Sequence, residues 1–114
     1  MRVAHESGRI LASDVETAET FLSQGFGLMF RRSVPDEYAL TFRFEEQQRR
    51  SIHMLFVFTS LDVCWLCDGI VQETQTLRPW IGHASAVADT VIEFPAGTLD
   101  GVDAGDRIEI RRPV

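Results

Sequence analysis

The hydrophobic and polar positions of this chain change over short distances, and their pattern predicts a mainly β protein. Apolar and polar residues alternate over 38–44 and over 107–111, which is the two-residue period of a half-buried strand. The continuous apolar runs at 52–58 and 61–66 predict strands that are covered on both faces.

Turn residues divide these runs into elements of similar length. Asp68-Gly69 predicts a tight hairpin between two strands, because both residue types tolerate positive φ. We predict further strands at 2–6, 9–18, 70–77 and 91–94, a short helix at 20–24, a charged turn at 45–50, a loop at 79–86 and a turn or short helix at 99–105. Seven or eight short strands with one or two short helices indicate a compact barrel or jelly-roll-like sandwich.

Composition indicates the number of domains, the partners that the chain is not expected to bind and the kind of organism it comes from. A chain of 114 residues with 45% apolar residues is the size of one domain, which we place at 1–114, and it can bury a core without a disulfide or a metal. The net charge of −6 argues against binding to nucleic acid or to an anionic membrane. All 11 basic residues are arginine, and together with the acid excess this favours a halophilic source.

Targeting signals and membrane spans are not evident. The first residues contain no apolar segment of the kind found in signal peptides, and no apolar run approaches 18 residues. We therefore expect a soluble cytoplasmic protein with reduced cysteines. We also expect a monomer, with weak dimerisation as the alternative.

Few residues have chemistry that the pattern leaves unexplained. Cys64 and Cys67 form a CxxC, but three residues apart on a strand they would point to opposite faces, and no second CxxC supplies further metal ligands. We expect neither a metal nor a cofactor.

Asp62, inside an apolar run, either accepts backbone N–H groups at a bend or pairs with Arg31 or His53. Trp80, in a loop that contains a proline, either stacks on a ligand or covers the open end of a barrel.

Five short motifs stand in one order along the chain, and together they resemble a known family. They are Gly27-Leu28-Met29-Phe30-Arg31, His53-Met54-Leu55-Phe56-Val57, Leu61-Asp62-Val63, Glu93-Phe94-Pro95-Ala96-Gly97 and Gly105-Asp106. The chain resembles the domain of unknown function 192, also called uncharacterised protein family 0127, in its haloarchaeal form. The resemblance implies a compact, mainly β domain of barrel or jelly-roll-like character, and it implies no established activity, cofactor or catalytic residue.

The chain departs from the common bacterial pattern of the family at one motif. That pattern has Trp-Met-Lys-Asn-Thr followed by Ile-Pro-Leu-Asp. Here Met54 and Leu61-Asp62 match, whereas Leu55-Phe56-Val57 replaces the polar residues and Ser60 replaces the proline. A function that depends on those polar groups is therefore not expected of this chain.

The leading hypothesis is a noncatalytic module that binds a small molecule or a protein. The few polar groups embedded in apolar runs fall within the five motifs, and a cavity with apolar walls and few polar groups is typical of a ligand site. The predicted site contains Met29, Arg31, His53, Met54, Asp62, Trp65 and Trp80. One alternative is a small hydrolase that uses His53 and Asp62 as an acid/base pair. Another is a structural or protein-interaction module.

Overall fold

The computed structural model describes residues 1–18 and 34–112. Eight strands lie within these ranges, namely β1 (Arg2–His5), β2 (Ile10–Ala12), β3 (Asp14–Ala18), β4 (Tyr38–His53), β5 (Leu61–Cys67), β6 (Ile70–Leu77), β7 (His83–Pro95) and β8 (Ile108–Arg111). The described ranges contain no helix, and so none that could span a membrane. The predicted helix at 20–24 lies outside the described residues.

The strands form two sheets. A three-stranded sheet has the order β2-β1-β8, and a five-stranded sheet has the order β3-β4-β7-β5-β6. The neighbouring strands pair antiparallel, except β3, which runs parallel to β4. The predicted hairpin between β5 and β6 is confirmed, because Asp68 and Gly69 have φ of 50° and 79°, as a turn of type I′ requires.

Two hydrophobic clusters lie on the two faces of the five-stranded sheet. The first cluster is centred on Tyr38, Leu40 and Trp65. The second contains Cys64 and Phe94 from this sheet and also Val3, Leu11 and Ile108 from the three-stranded sheet. Because the second cluster fills the space between the two sheets, the fold is a sandwich, and the sheets do not close into a barrel. The mainly β class is confirmed.

Strand β4 is much longer than predicted, so the predicted charged turn at 45–50 is wrong. Its pairing with β7 is regular as far as Arg43, shifts between Arg43 and Gln48, and continues to His53. An irregularity of this kind bends a strand and changes its twist. Beyond it, Ile52 of β4 and Ala84 of β7 pack against the first cluster. The charged residues of 45–50 thus belong to a strand with an exposed face.

Three other predictions are corrected by pairing between distant residues. The apolar run 52–58 is not one strand, since β4 ends at His53 and a loop follows. The predicted strand at 9–18 is divided into β2 and β3 at Ser13. The predicted loop at 79–86 is shorter, because β7 begins at His83. The other predicted strands, at 2–6, 61–66, 70–77, 91–94 and 107–111, are confirmed within a residue or two or as part of a longer strand.

The carboxyl group of Glu93 is buried on the face of the five-stranded sheet that carries the first cluster. Glu93 is 5% exposed, and its register partners are Leu40 on β4 and Val63 on β5. Its Oε1 has no hydrogen-bond partner among the described residues. Burial disfavours the charged form and raises the pKa of Glu93 to about 7.

We predict that Glu93 makes the fold less stable as pH rises. Between the usual pKa of 4.5 and about 7, the folded state binds more protons than the unfolded state, so the free energy of unfolding falls through this window by about 3 kcal/mol. The E93Q variant should lose this dependence, measured by urea unfolding between pH 4 and pH 8. The exposed Glu109 provides the control variant E109Q. Equal pH profiles for the E93Q variant and the unaltered protein would contradict the prediction.

Candidate functional site

Among the predicted site residues that the structure describes, His53, Met54 and Trp80 lie close together, whereas Asp62 lies elsewhere. Met29 and Arg31 lie outside the described residues. His53 is the last residue of β4 and is exposed. It stands opposite His83 of β7, whereas Asp62 stands opposite Phe94 of the same strand. The two register positions on β7 are eleven residues apart, so the sheet does not bring His53 and Asp62 together.

Asp62 stabilises the turn that follows β7. Its Oδ2 accepts the backbone N–H groups of Gly97 and Leu99, each at 2.9 Å, and its Oδ1 accepts the hydroxyl of Thr76 at 2.7 Å. Both carboxylate oxygens are thus engaged, and the residue is 2% exposed. Asp62 thus accepts backbone N–H groups at a bend, which is the first of the two alternatives from the sequence. It does not pair with His53, as a hydrolase based on these two residues would require.

Met54 and Trp65 belong to the first cluster rather than to an open wall. They are 1% and 0% exposed. The indole Nε1 of Trp65 donates a hydrogen bond of 2.9 Å to the backbone oxygen of Arg50, which satisfies the one polar atom of a buried tryptophan. Both side chains are therefore part of the hydrophobic core and do not line an open site.

Trp80 is exposed and lies at the centre of an aromatic group. Its ring is 44% exposed, and the rings of Phe56 and Phe58 each meet it edge-on, with centroids 5.2 Å away. Leu55 and Ile81 are exposed on either side in sequence, at 49% and 71%. We call the set of Leu55, Phe56, Phe58, Trp80 and Ile81 the aromatic apex.

The backbone of the aromatic apex has an unusual conformation. Phe56 and Trp80 have φ of 61° and 68°. Left-handed backbone is a true outlier for bulky residues and costs about 1–3 kcal/mol at each position. The rest of the structure must therefore impose it. Both strained residues place an aromatic ring at the same surface.

Hydrogen bonds of Met54 join the two loops that form the apex. The backbone oxygen of Met54 accepts the N–H groups of Val57 and Trp80, at 2.9 and 3.0 Å, and its N–H donates to the backbone oxygen of Gly82 at 2.9 Å. The second loop closes on itself through a bond from the Gly82 N–H to the oxygen of Arg78. A Cβ at Gly82 would lie only 2.7 Å from the Arg78 nitrogen, so this turn requires glycine.

Nucleophilic chemistry at the CxxC is disfavoured. Burial raises the pKa of the Cys64 thiol to about 12, so the thiolate is scarce at neutral pH. Cys67 lies at the end of β5, where its Sγ contacts the backbone oxygen of Val87. The two sulfurs form no disulfide. Cys64 belongs to the second cluster and Cys67 does not. This agrees with the prediction that the two side chains point to opposite faces of the sheet.

One group of side chains has the composition of a metal site. Ligand atoms of His5, Glu6 and Asp106 lie within 4.8 Å of one another. In the structure His5 Nε2 and Asp106 Oδ2 are 2.8 Å apart, and Glu6 Oε1 accepts the N–H of Arg107. These contacts join the end of β1 to the start of β8. Hydrogen bonds from Asp103 and His5 lower the pKa of Asp106.

Sequence analysis identified Trp80 but missed the other members of the apex. The continuous apolar run 52–58 predicts a strand covered on both faces, so the exposure of Leu55, Phe56 and Phe58 does not follow from the pattern. Pro79 next to Trp80 indicates an aromatic residue in a loop, and this signal extends to Trp80 and its neighbour Ile81 but not to residues 55–58.

Comparison with known proteins places the chain among uncharacterised relatives. The family model DUF192, described as "Uncharacterized ACR", matches residues 2–110. A "UPF0127 protein" of Thermococcus gammatolerans is 36% identical over 114 residues, covering 95% of this chain and 73% of the relative. A second one, from Pyrococcus horikoshii, is 34% identical over 102 residues, covering 84% of this chain and 86% of the relative.

Among solved structures, a protein of Sinorhizobium meliloti described as a "putative transcription regulator" superposes with a TM-score of 0.83. It is 28% identical, and the match covers 95% of this chain and 89% of that protein. The similarity extends over nearly the whole of both chains, which agrees with the sandwich described above.

We predict that Asp62 is needed for stability. The D62A variant would leave the buried N–H of Leu99 and the part-buried N–H of Gly97 without their acceptor and should lower the free energy of unfolding by about 3 kcal/mol. The D62N variant is the matched control, because its Oδ1 can still accept both N–H groups, and it should cost only about 1 kcal/mol. Urea unfolding at neutral pH measures both. If D62A were as stable as D62N, Asp62 would not have this structural role.

Proposed function

This chain belongs to the DUF192 family, and we propose that it is a noncatalytic binding module whose contact surface is the aromatic apex. The match to residues 2–110 covers nearly the whole chain. The remainder of the proposal rests on the geometry of two loops, 54–60 and 78–82.

The observation that carries the proposal is the concentration of exposed apolar side chains at the apex. Among the described residues, eight large hydrophobic side chains are exposed, and five of them form the apex. Single exposed apolar residues are normal on a protein surface, whereas a contiguous patch marks an interaction site. Aromatic side chains also contribute much of the energy at protein interfaces.

The strained backbone supports the same proposal. Positive φ at Phe56 and Trp80 is unfavourable, and residues in such conformations are concentrated at ligand-binding and active sites. The hydrogen bonds of Met54 hold both loops in place before any ligand arrives. A surface ordered in advance loses less conformational entropy on binding.

The polar groups near the apex suit recognition better than catalysis. His53 and His83 are exposed at the ends of β4 and β7, and Arg78 is exposed where the second loop begins. His53 Nδ1 accepts the N–H of Leu55 at 3.3 Å. Asp62, the acid partner that a His53-based hydrolase would require, is bonded to the turn at Gly97. A role in transcription regulation, as described for the Sinorhizobium relative, is compatible with a module that contacts another protein.

We predict that small aromatic fragments bind at the apex. Two-dimensional NMR of the isotope-labelled protein in molar salt would be recorded with a panel of such fragments, and the shifted amides should cluster in 53–60 and 78–83. The F58A/W80A double variant should lose these shifts because the rings are gone. V87A is the matched control, since Val87 is equally exposed, at 43%, outside the apex. Fragments that leave the apex amides unmoved would contradict the proposal.

A further inference from the structure

Charge is unevenly distributed along this chain in a way that singles out the apex. Residues 47–61 and 74–88 contain three arginines, two histidines and not one aspartate or glutamate. All 17 acidic residues and the other eight arginines lie elsewhere. In a protein of net charge −6, these two stretches together carry three positive charges and no negative one.

The fold brings the two acid-free stretches together. They pair as the ends of β4 and β7, with Arg49 opposite Val87 and His53 opposite His83. Residues directly opposite each other on antiparallel strands lie on the same face of the sheet. Arg49 extends across to Ser85, with Nη1 3.0 Å from its hydroxyl. The loops of the apex continue directly from these strand ends.

Four acidic residues border the two stretches, namely Glu46, Asp62, Glu73 and Asp89. Glu46 is exposed and Glu73 accepts a hydrogen bond from the Gln75 amide, whereas Asp62 and Asp89 are engaged by backbone groups outside the apex. Asp62 is buried in its turn at Gly97 and Leu99. The Oδ2 of Asp89 accepts the N–H of Asp68 at 2.9 Å. The aromatic apex is therefore an apolar surface with exposed cationic and imidazole side chains on the adjoining strands.

We propose that the apex binds a short segment of a partner protein in which apolar side chains are flanked by acidic ones, an inference that rests on the proposed function. The apolar side chains would pack on Phe58 and Trp80. The flanking carboxylates would make charge-assisted hydrogen bonds with Arg49 and Arg78. Complementary charge of this kind contributes specificity and a faster encounter.

Two other occupants fit the charge distribution less well. A second copy placed apex to apex would bring arginines against arginines. A nucleic acid strand is a longer polyanion, and beyond the apex it would meet a protein that carries 17 acidic residues and a net charge of −6. A short acidic segment can remain within the cationic region.

The test uses the full chain and an array of short peptides. Each peptide has a central pair of apolar residues, varied over Leu, Phe and Trp, and flanks that are acidic, neutral or basic. We expect binding to rank acidic above neutral above basic and to weaken as salt is added, because exposed charges are screened. For the best acidic peptide, the R49Q/R78Q variant should lose affinity by about tenfold, as expected for two solvent-exposed ion pairs.

Matched variants separate this inference from the proposed function. R107Q/R112Q removes the same charge from exposed positions near β8 and should leave peptide affinity unchanged. F58A/W80A should abolish binding of all peptides, and thermal unfolding checks that each variant is folded. Binding that depends on Phe58 and Trp80 without a preference for acidic flanks would overturn the partner class while leaving the proposed function standing.

The remaining outcomes also decide the matter. Absence of binding by every peptide would overturn the inference, and absence of fragment shifts at the apex as well would overturn the proposed function. Tighter binding to a single-stranded RNA oligonucleotide than to any peptide would assign the surface to nucleic acid. Self-association in sedimentation that F58A/W80A abolishes would assign the apex to a second copy of the chain.

Discussion

The backbone of Met54 is the contact on which the proposed surface depends. Its oxygen accepts hydrogen bonds from Val57 in its own loop and from Trp80 in the other, and its N–H donates to Gly82. The side chain is buried in the first cluster at 1% exposure. One residue thus attaches two loops to each other and to the core. These bonds help to offset the unfavourable φ of Phe56 and Trp80.

The sheet determines where Met54 can lie. The register shift between Arg43 and Gln48 lets the distal parts of β4 and β7 pack over the first cluster, with Trp65 bonded to Arg50 beneath them. On the opposite side of the same sheet, Asp62 fixes the turn after β7. The first cluster and the exposed apex are consequently connected through Met54, whose side chain lies in the cluster and whose backbone holds the apex loops. Where the bacterial pattern of the family has polar residues, this chain exposes Leu55 and Phe56.

The sequence predicted those features that depend on neighbouring residues. The β5–β6 hairpin follows from Asp68-Gly69, and β8 follows from local alternation. The errors occur where distant pairing decides the outcome. Residues 45–50 are charged enough for a turn, yet β7 supplies register partners for Gln48, Arg49 and Arg50. Residues 52–58 are apolar enough for a buried strand, yet β4 ends at His53 and the bonds of Met54 to Trp80 and Gly82 form a loop. Leu55, Phe56 and Phe58 are exposed on this loop. A left-handed phenylalanine has no local signal, so most of the apex could not be predicted.

Amide hydrogen exchange at Val57 and Trp80 tests most directly whether the apex is a surface held in place from within. Both N–H groups donate to the oxygen of Met54, so we predict that they exchange as slowly as the paired amides of β4 and β7 and are released in the same opening event. The Leu55 amide in the same loop donates to the His53 side chain at 3.3 Å and to no backbone oxygen among the described residues, so it provides a more weakly held comparison. Exchange of the Val57 and Trp80 amides at the rate of an unstructured peptide would contradict the account, because the aromatic rings would then have no fixed support.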